Sequence, residues 1–310
     1  MSRPSRLPQQ PGTALSLRQG MPMLFSFLAS PEHRLTARYA RLGLLLLTGL
    51  LSAATLQAAE APANTSEMAS LTPEKLMEAV KWRTDGNSRQ ADITLELWQG
   101  QQLRDTRQVR YLEQDKGQSR DTLMYISEPK DVAGTSLLFQ SDAEKSSDDD
   151  SIYLYLPALR KAKQLAARNK QGRFIGSEFI YADLEWLRPE DFSYQSKGQV
   201  MWHDRPVIEL EATARQDTVL EKTGYSRKVL WVDPQYQLIV ATDFYDEQGR
   251  LLKRMEVEKV EQIQHIWTIT QQRMDNLQSG QSTRMYVKNI SYDVAVNDRL
   301  FNRQQLGKRW

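Results

Sequence analysis

The sequence predicts a mainly β (α+β) fold: a curved antiparallel sheet of about eleven strands forming an incomplete β-barrel, with a few lid helices. Three observations carry this. Short runs of alternating apolar and polar residues fill most of 93–292, turns rich in Gly, Asp, Asn and Pro separate them, and several runs are apolar on both faces.

The first 58 residues stand apart. Arg34, Arg38 and Arg41 precede an apolar run from Leu42 to Leu56, and Ala58 and Ala59 follow. A positive flank, a short apolar core and a small-residue exit are the form of a secretory signal. The rival reading is an uncleaved anchor, but the run would make about 22 Å of helix against a hydrocarbon core of about 30 Å. The flank is long, and Met21 and Met23 offer alternative starts. The expected organisation is therefore an N-terminal extension and cleaved signal peptide over 1–58, a flexible linker over 59–70, and one domain over 71–310. Such a leader predicts a periplasmic location.

Cleavage after Ala58 leaves 252 residues, enough for one large β domain. The leader holds six of the 41 basic residues and one of the 39 acidic ones, so the remainder has a net charge of −3. That balance does not suit nucleic-acid binding. With no cysteine in the chain, neither disulfides nor a lipid-modified N-terminal Cys is available.

Within the domain, Thr72 can cap and Pro73 suits the first position of a helix over 73–83, with Leu76, Met77 and Val80 on one face. The period then changes to two. Ile93, Leu95 and Leu97 alternate with Thr94, Glu96 and Trp98, Gly100 turns the chain, and 107–112 returns. Further strands are expected at 121–127, 135–140, 151–156, 199–202, 206–213, 227–232, 237–245, 251–260, 264–273 and 282–292. A second helical segment is expected near 177–187. In 151–156, Ile152, Leu154 and Leu156 oppose Tyr153 and Tyr155; in 237–245 both faces are again apolar. Something must cover the second face: a helix, another sheet or a ligand. One reading is a plain packed core, and the other is a partly capped hydrophobic cavity. Strand alternation and bulky aromatics nominate Leu95, Leu97, Tyr125, Leu138, Tyr153, Tyr155, Phe179, Trp186, Trp231 and Trp267 as cavity-lining residues.

Signs of catalysis are sparse. The histidines are His33, His203 and His265, with no paired-His or Cys/His grouping, so no metal site and no cofactor are implied. Ser177 lies outside any Gly-x-Ser-x-Gly elbow. Glu178, Asp183, Glu185, Glu190 and Asp191 keep a two-carboxylate hydrolase as an alternative, though the chain is not read as an enzyme. Asp148, Asp149 and Asp150 lack the spacing of a calcium loop and are read as a solvated hairpin tip. The basic segment 160–173 holds Lys161, Lys163 and Arg168; it suits lipid phosphates or an acidic partner, and equally a charged strand edge that resists aggregation.

Three stretches resemble the family of outer-membrane lipoprotein-sorting proteins, the LolA-like periplasmic carriers, and in particular its larger members. One is Tyr153-Leu154-Tyr155-Leu156-Pro157-Ala158-Leu159-Arg160-Lys161. Another is Gly176-Ser177-Glu178-Phe179 with Asp183-Leu184 beyond, where Glu178 replaces the family's usual Asp. The third is Leu230-Trp231-Val232-Asp233 with Phe244-Tyr245-Asp246 and Gly249-Arg250-Leu251-Leu252-Lys253. The resemblance spans 71–310. It implies a half-barrel around a hydrophobic cavity that shields acyl chains of lipoproteins or phospholipids bound for the outer membrane, with transient membrane-surface contact. Some members are associated with inner-membrane transporters of the resistance-nodulation-division type, so a non-lipid adaptor of such a transporter is a further alternative.

Overall fold

The computed structural model describes residues 67–146, 148 and 150–310. The expected leader and most of the expected linker lie outside the described residues. Helix α1 (Pro73–Lys81) begins as its sequence dictates: Thr72 Oγ1 accepts from Lys75 N, and Pro73 opens the first turn. It is amphipathic and buries Leu76, Met77 and Val80.

Thirteen strands follow: β1 (Ser88–Gln99), β2 (Gln102–Asp115), β3 (Ser119–Glu128), β4 (Ser136–Asp142), β5 (Ser151–Leu156), β6 (Lys161–Gln164), β7 (Phe192–Trp202), β8 (Arg205–Ala214), β9 (Arg227–Asp233), β10 (Leu238–Tyr245), β11 (Leu251–Ile263), β12 (Ile266–Asn276) and β13 (Gln281–Tyr292). A short helix α2 (Asp217–Thr223) separates β8 from β9. The described strands form one antiparallel sheet in the order β6-β5-β4-β3-β2-β1-β13-β12-β11-β10-β9-β8-β7.

This order decides the architecture. β1 pairs with β13, for example Leu95 opposite Met285, so the first and last of the described strands meet in mid-sheet. The two free edges are therefore β6 and β7, which are consecutive in sequence. Were they paired, the barrel would close. Instead the connection 165–191 is a chain of 3₁₀ turns that covers one face. We call it the cover, and the sheet is an open, curved half-barrel.

Two apolar clusters lie on the covered face. Ile93, Leu95, Met124, Ile126, Leu137 and Phe139 pack with Phe174, Phe179 and Ile180 of the cover. Leu76, Met77 and Val80 of α1 pack on Ile208, Leu210, Leu230 and Val232. The opposite face is buried too. Leu112, Leu123 and Leu138 lie under Phe301 and Leu306 of the C-terminal segment, while Val207, Leu238 and Val240 pack with Trp202 and Trp231. Two-sided apolar strands therefore reflect two separate coverings.

Several expectations need correction. The segment 177–187 is not a regular helix; Ile175 (φ 44°) and Gly176 (φ 83°) turn the chain left-handed just before it, and only 3₁₀ turns follow. β7 starts at Phe192 rather than 199, because its early residues are an exposed polar edge without an alternating apolar signal. Asp150 is not at a solvated tip: it is 5% exposed and receives Arg188 Nε at 2.9 Å.

A covered hollow as the candidate functional site

Between the cover and strands β8–β12 lies a cavity of about 310 Å³. Leu230, Ile239, Thr242, Phe244, Met255 and Met274 form its sheet wall, Phe179, Ala182, Leu184, Trp186 and Leu187 its roof, and Met77 of α1 one end. A register shift between Ile239 and Ala241 inserts one residue into β10, which keeps Ile239, Thr242 and Phe244 all on the cavity side.

The roof is tied down by paired polar groups. Asp183 Oδ1 accepts from Tyr225 Oη at 2.9 Å, and its Oδ2 accepts from Lys253 Nζ at 2.7 Å and from Ile180 N at 2.9 Å. Burial, together with the charge of Asp183, pushes the Tyr225 phenol well above its ordinary range. Glu178 joins the cover to the sheet: its N donates to Thr283 Oγ1, Oε2 accepts from Asn276 Nδ2, and Oε1 pairs with Arg173. Lys170 meets Glu185 at 2.6 Å, Lys222 meets Asp191 at 2.9 Å, and Arg188 bridges Asp150 and Glu190. Burial raises the Glu185 carboxyl despite Lys170 beside it.

Lys228, on β9, differs from these. Among the described residues it has no carboxylate and no hydrogen-bond acceptor in contact; its Nζ sits 4.7 Å from the Phe192 ring centre, 5.3 Å from Tyr225 and 5.6 Å from Phe244. It lines the cavity beside Phe192 and Phe244, and burial lowers its amine to about 8.

Beyond Trp186 lies a second, more polar hollow of about 350 Å³. Here Arg89 Nη2 reaches Tyr111 Oη at 2.6 Å and Glu113 at 3.2 Å, and Arg120 pairs with Asp85 at 3.1 Å. Burial alone would raise the Glu113 carboxyl, but Arg89 and Arg120 outweigh it and hold it low. Trp186 is the partition: its ring meets Trp82 edge-on at 5.2 Å, with Lys81 Nζ at 4.9 Å and Arg120 Cζ at 5.0 Å.

Of the nominated lining residues, Phe179 and Trp186 are on the cavity wall. Leu95 and Leu97 belong to the neighbouring core under the cover. The others lie elsewhere. Leu138, Tyr153 and Tyr155 face the C-terminal segment, and Tyr125 shares their face by alternation with Leu123. Trp231 and Trp267 pack in the aromatic cluster, Trp231 stacked on Trp202 and Trp267 against Tyr236. Alternation separates the two faces of a strand but does not say which one lies inside. The motif residues Gly176, Ser177, Glu178, Phe179, Asp183 and Leu184 come together in the cover. Lys161 and Lys163 are exposed on edge strand β6, and Arg168 is exposed beyond it. Sequence reasoning missed Lys228 and marked Lys253 only as the end of the Gly249–Lys253 stretch; the available signal was a lysine two residues ahead of Leu230 and of Met255 on an inward stripe.

A family model described as "Uncharacterized protein" matches residues 118–308. No curated protein matches the chain in sequence. Among solved structures, a domain described as an outer membrane lipoprotein-sorting protein from Vibrio parahaemolyticus is 27% identical, with 76% of this chain and 98% of that one covered at a TM-score of 0.69. A DUF1329 family protein from Desulfovibrio piger is 24% identical over 78% of this chain and 99% of that one, at a TM-score of 0.69. A LolA superfamily protein from Nitrosomonas europaea is 20% identical, covers 76% of this chain and 100% of that one, and gives a TM-score of 0.59. The latter two speak for the fold.

Proposed function

The chain belongs to the LolA-like family, and on that premise we propose that it is a periplasmic carrier that takes acyl chains of lipoproteins or lipids into the hollow beneath its cover and delivers them towards the outer membrane. The observation that carries this reading is the cavity between β8–β12 and the cover, walled mostly by apolar side chains such as Leu230, Phe244, Met255 and Met274, with the ion-paired Asp183, Glu185, Arg188, Asp191 and Lys222 also on its lining. Burial of methylene groups, at about 0.8 kcal/mol each, would drive binding. Displacing the roof and immobilising the guest would offset part of that gain, which suits a protein that must also release its cargo. Two acids of the hydrolase alternative fasten the cover to the sheet: the Glu178 carboxylate accepts from Asn276 and that of Asp183 from Lys253.

The exposed Lys161, Lys163 and Arg168 beside the open edge support transient contact with an anionic membrane surface or with a transporter partner. Lipid extraction and mass spectrometry of the natively exported protein test the carrier reading: co-purifying acyl lipid supports it. A delipidated protein that takes up neither fluorescent phospholipid nor a neutral apolar probe overturns it.

A further inference from the structure

Resting on the carrier reading, we propose that the cavity is selective for a single acyl chain ending in a carboxylate, whose charge is received by Lys228. A lysine within an aromatic and aliphatic wall, without an acceptor among the described residues, is an electrostatic vacancy that an anionic head would fill. The other charged groups near it are already matched. Asp183 holds Lys253 and Tyr225, Asp191 holds Lys222, and Glu185 holds Lys170.

The count of charges and the available space both narrow the guest. One unmatched cation suits a monoanion, whereas a phosphate monoester would bring a second negative charge into an apolar wall. At about 310 Å³ the cavity lies at the low end of small-molecule sites, room for one chain rather than two or three. A fatty carboxylate meets both conditions. Phe192, Tyr225 and Phe244 surround the amine at 4.7–5.6 Å and offer it no acceptor, so a carboxylate there would make a charge-assisted bond without displacing one already formed.

The test is competition against N-phenyl-1-naphthylamine, a neutral apolar probe, bound to the delipidated full-length protein. Competitors are dodecanoate, dodecan-1-ol and dodecyl phosphate, at pH 6.5 and 9.5. Dodecanoate is expected to compete about tenfold or more tightly than the alcohol at the lower pH, and better than the phosphate. The preference should fade at the higher pH as the Lys228 amine loses its proton, the carboxylate being ionised throughout. Asp183, Asp191, Glu185, Lys222, Lys253 and Arg188 also face this region, so Lys228→Met separates their effect: the ratio of dodecanoate to dodecan-1-ol competition, read within that variant, should fall to about one, while Lys228→Arg should retain the preference at both pH values. Equal competition by acid and alcohol, a stronger competition by the phosphate, or a preference that survives in Lys228→Met overturns the assignment while leaving the carrier reading intact. Failure of the probe itself to bind overturns both.

Discussion

Lys253 Nζ lies 2.7 Å from Asp183 Oδ2 and 2.9 Å from the carbonyl oxygen of Glu178, so one cation on β11 fastens the cover at two points. The side chains of the pair are 3% and 6% exposed. The residues that carry the family resemblance therefore meet across the fold: the Gly-Ser-Glu-Phe…Asp stretch is the roof, and the lysine closing Gly249–Lys253 is its latch.

Removing one partner of such a buried pair leaves the other charge without compensation, at a cost of about 3–5 kcal/mol. Asp183→Ala should lower stability in urea by about that amount and raise hydrogen exchange in 174–187. Asp183→Ala with Lys253→Met should recover part of the loss. If the double variant is less stable than the single one, the latch is not what Asp183 provides.

Lys228 presents the opposite case, a charge that the fold carries at a loss. Its amine is lowered from 10.5 to about 8, so between those values the unfolded chain binds more protons than the native one. Stability contributed by this site must then rise with pH across that window and be lowest, and constant, below pH 8. Lys228→Met should be more stable than the parent by about 1–3 kcal/mol at pH 7. The difference should shrink towards pH 10.5. Thermal melts at pH 7, 8.5 and 10 measure this directly. A destabilised variant at pH 7, or a gap that widens with pH, contradicts it.

The sheet was legible in the sequence because its turns are marked and its inner strands either alternate, as from Ile93 to Trp98, or run apolar on both faces, as from Leu238 to Tyr245. What escaped was whatever depends on the face chosen. Leu138, Tyr153 and Tyr155 satisfy every local criterion for a cavity wall, yet the C-terminal segment claims them. The first half of edge strand β7 and the seven-residue α2 were missed because neither has a long enough apolar stripe to show a period. The cover was expected as a helix near 177–187; its actual conformation follows from Gly176, Ile175 and the pairing of Asp183, none of which shows as a period in the sequence.

The C-terminal segment gives its own prediction. Gly307 has φ 86°, and its N donates to Ser136 Oγ at 3.1 Å. A Cβ there would run into the Tyr155 ring. Gly307→Ala should therefore displace Phe301, Leu306 and Trp310 from the outer face, lowering stability by about 1–3 kcal/mol. It should also open 294–310 to limited proteolysis. Tyr155→Ala in the same chain should relieve the clash, and proteolysis that is unchanged by Gly307→Ala would show that the segment docks by other contacts.

The cavity can also be filled from its wall. Thr242 is 4% exposed on β10 and faces the hollow between Ile239 and Phe244. Thr242→Phe places a ring where the guest's chain would lie; because the space exists already, the change in stability should stay within about 1.5 kcal/mol. Uptake of N-phenyl-1-naphthylamine should fall by about tenfold or more, since the displaced volume is a large part of a small cavity. Thr242→Val, similar in size to the native residue, should bind as before. Filling the second hollow beyond Trp186 through Ser141→Phe serves as the comparison. Unchanged uptake in Thr242→Phe with loss in Ser141→Phe would move the acyl site from the apolar chamber to the polar one.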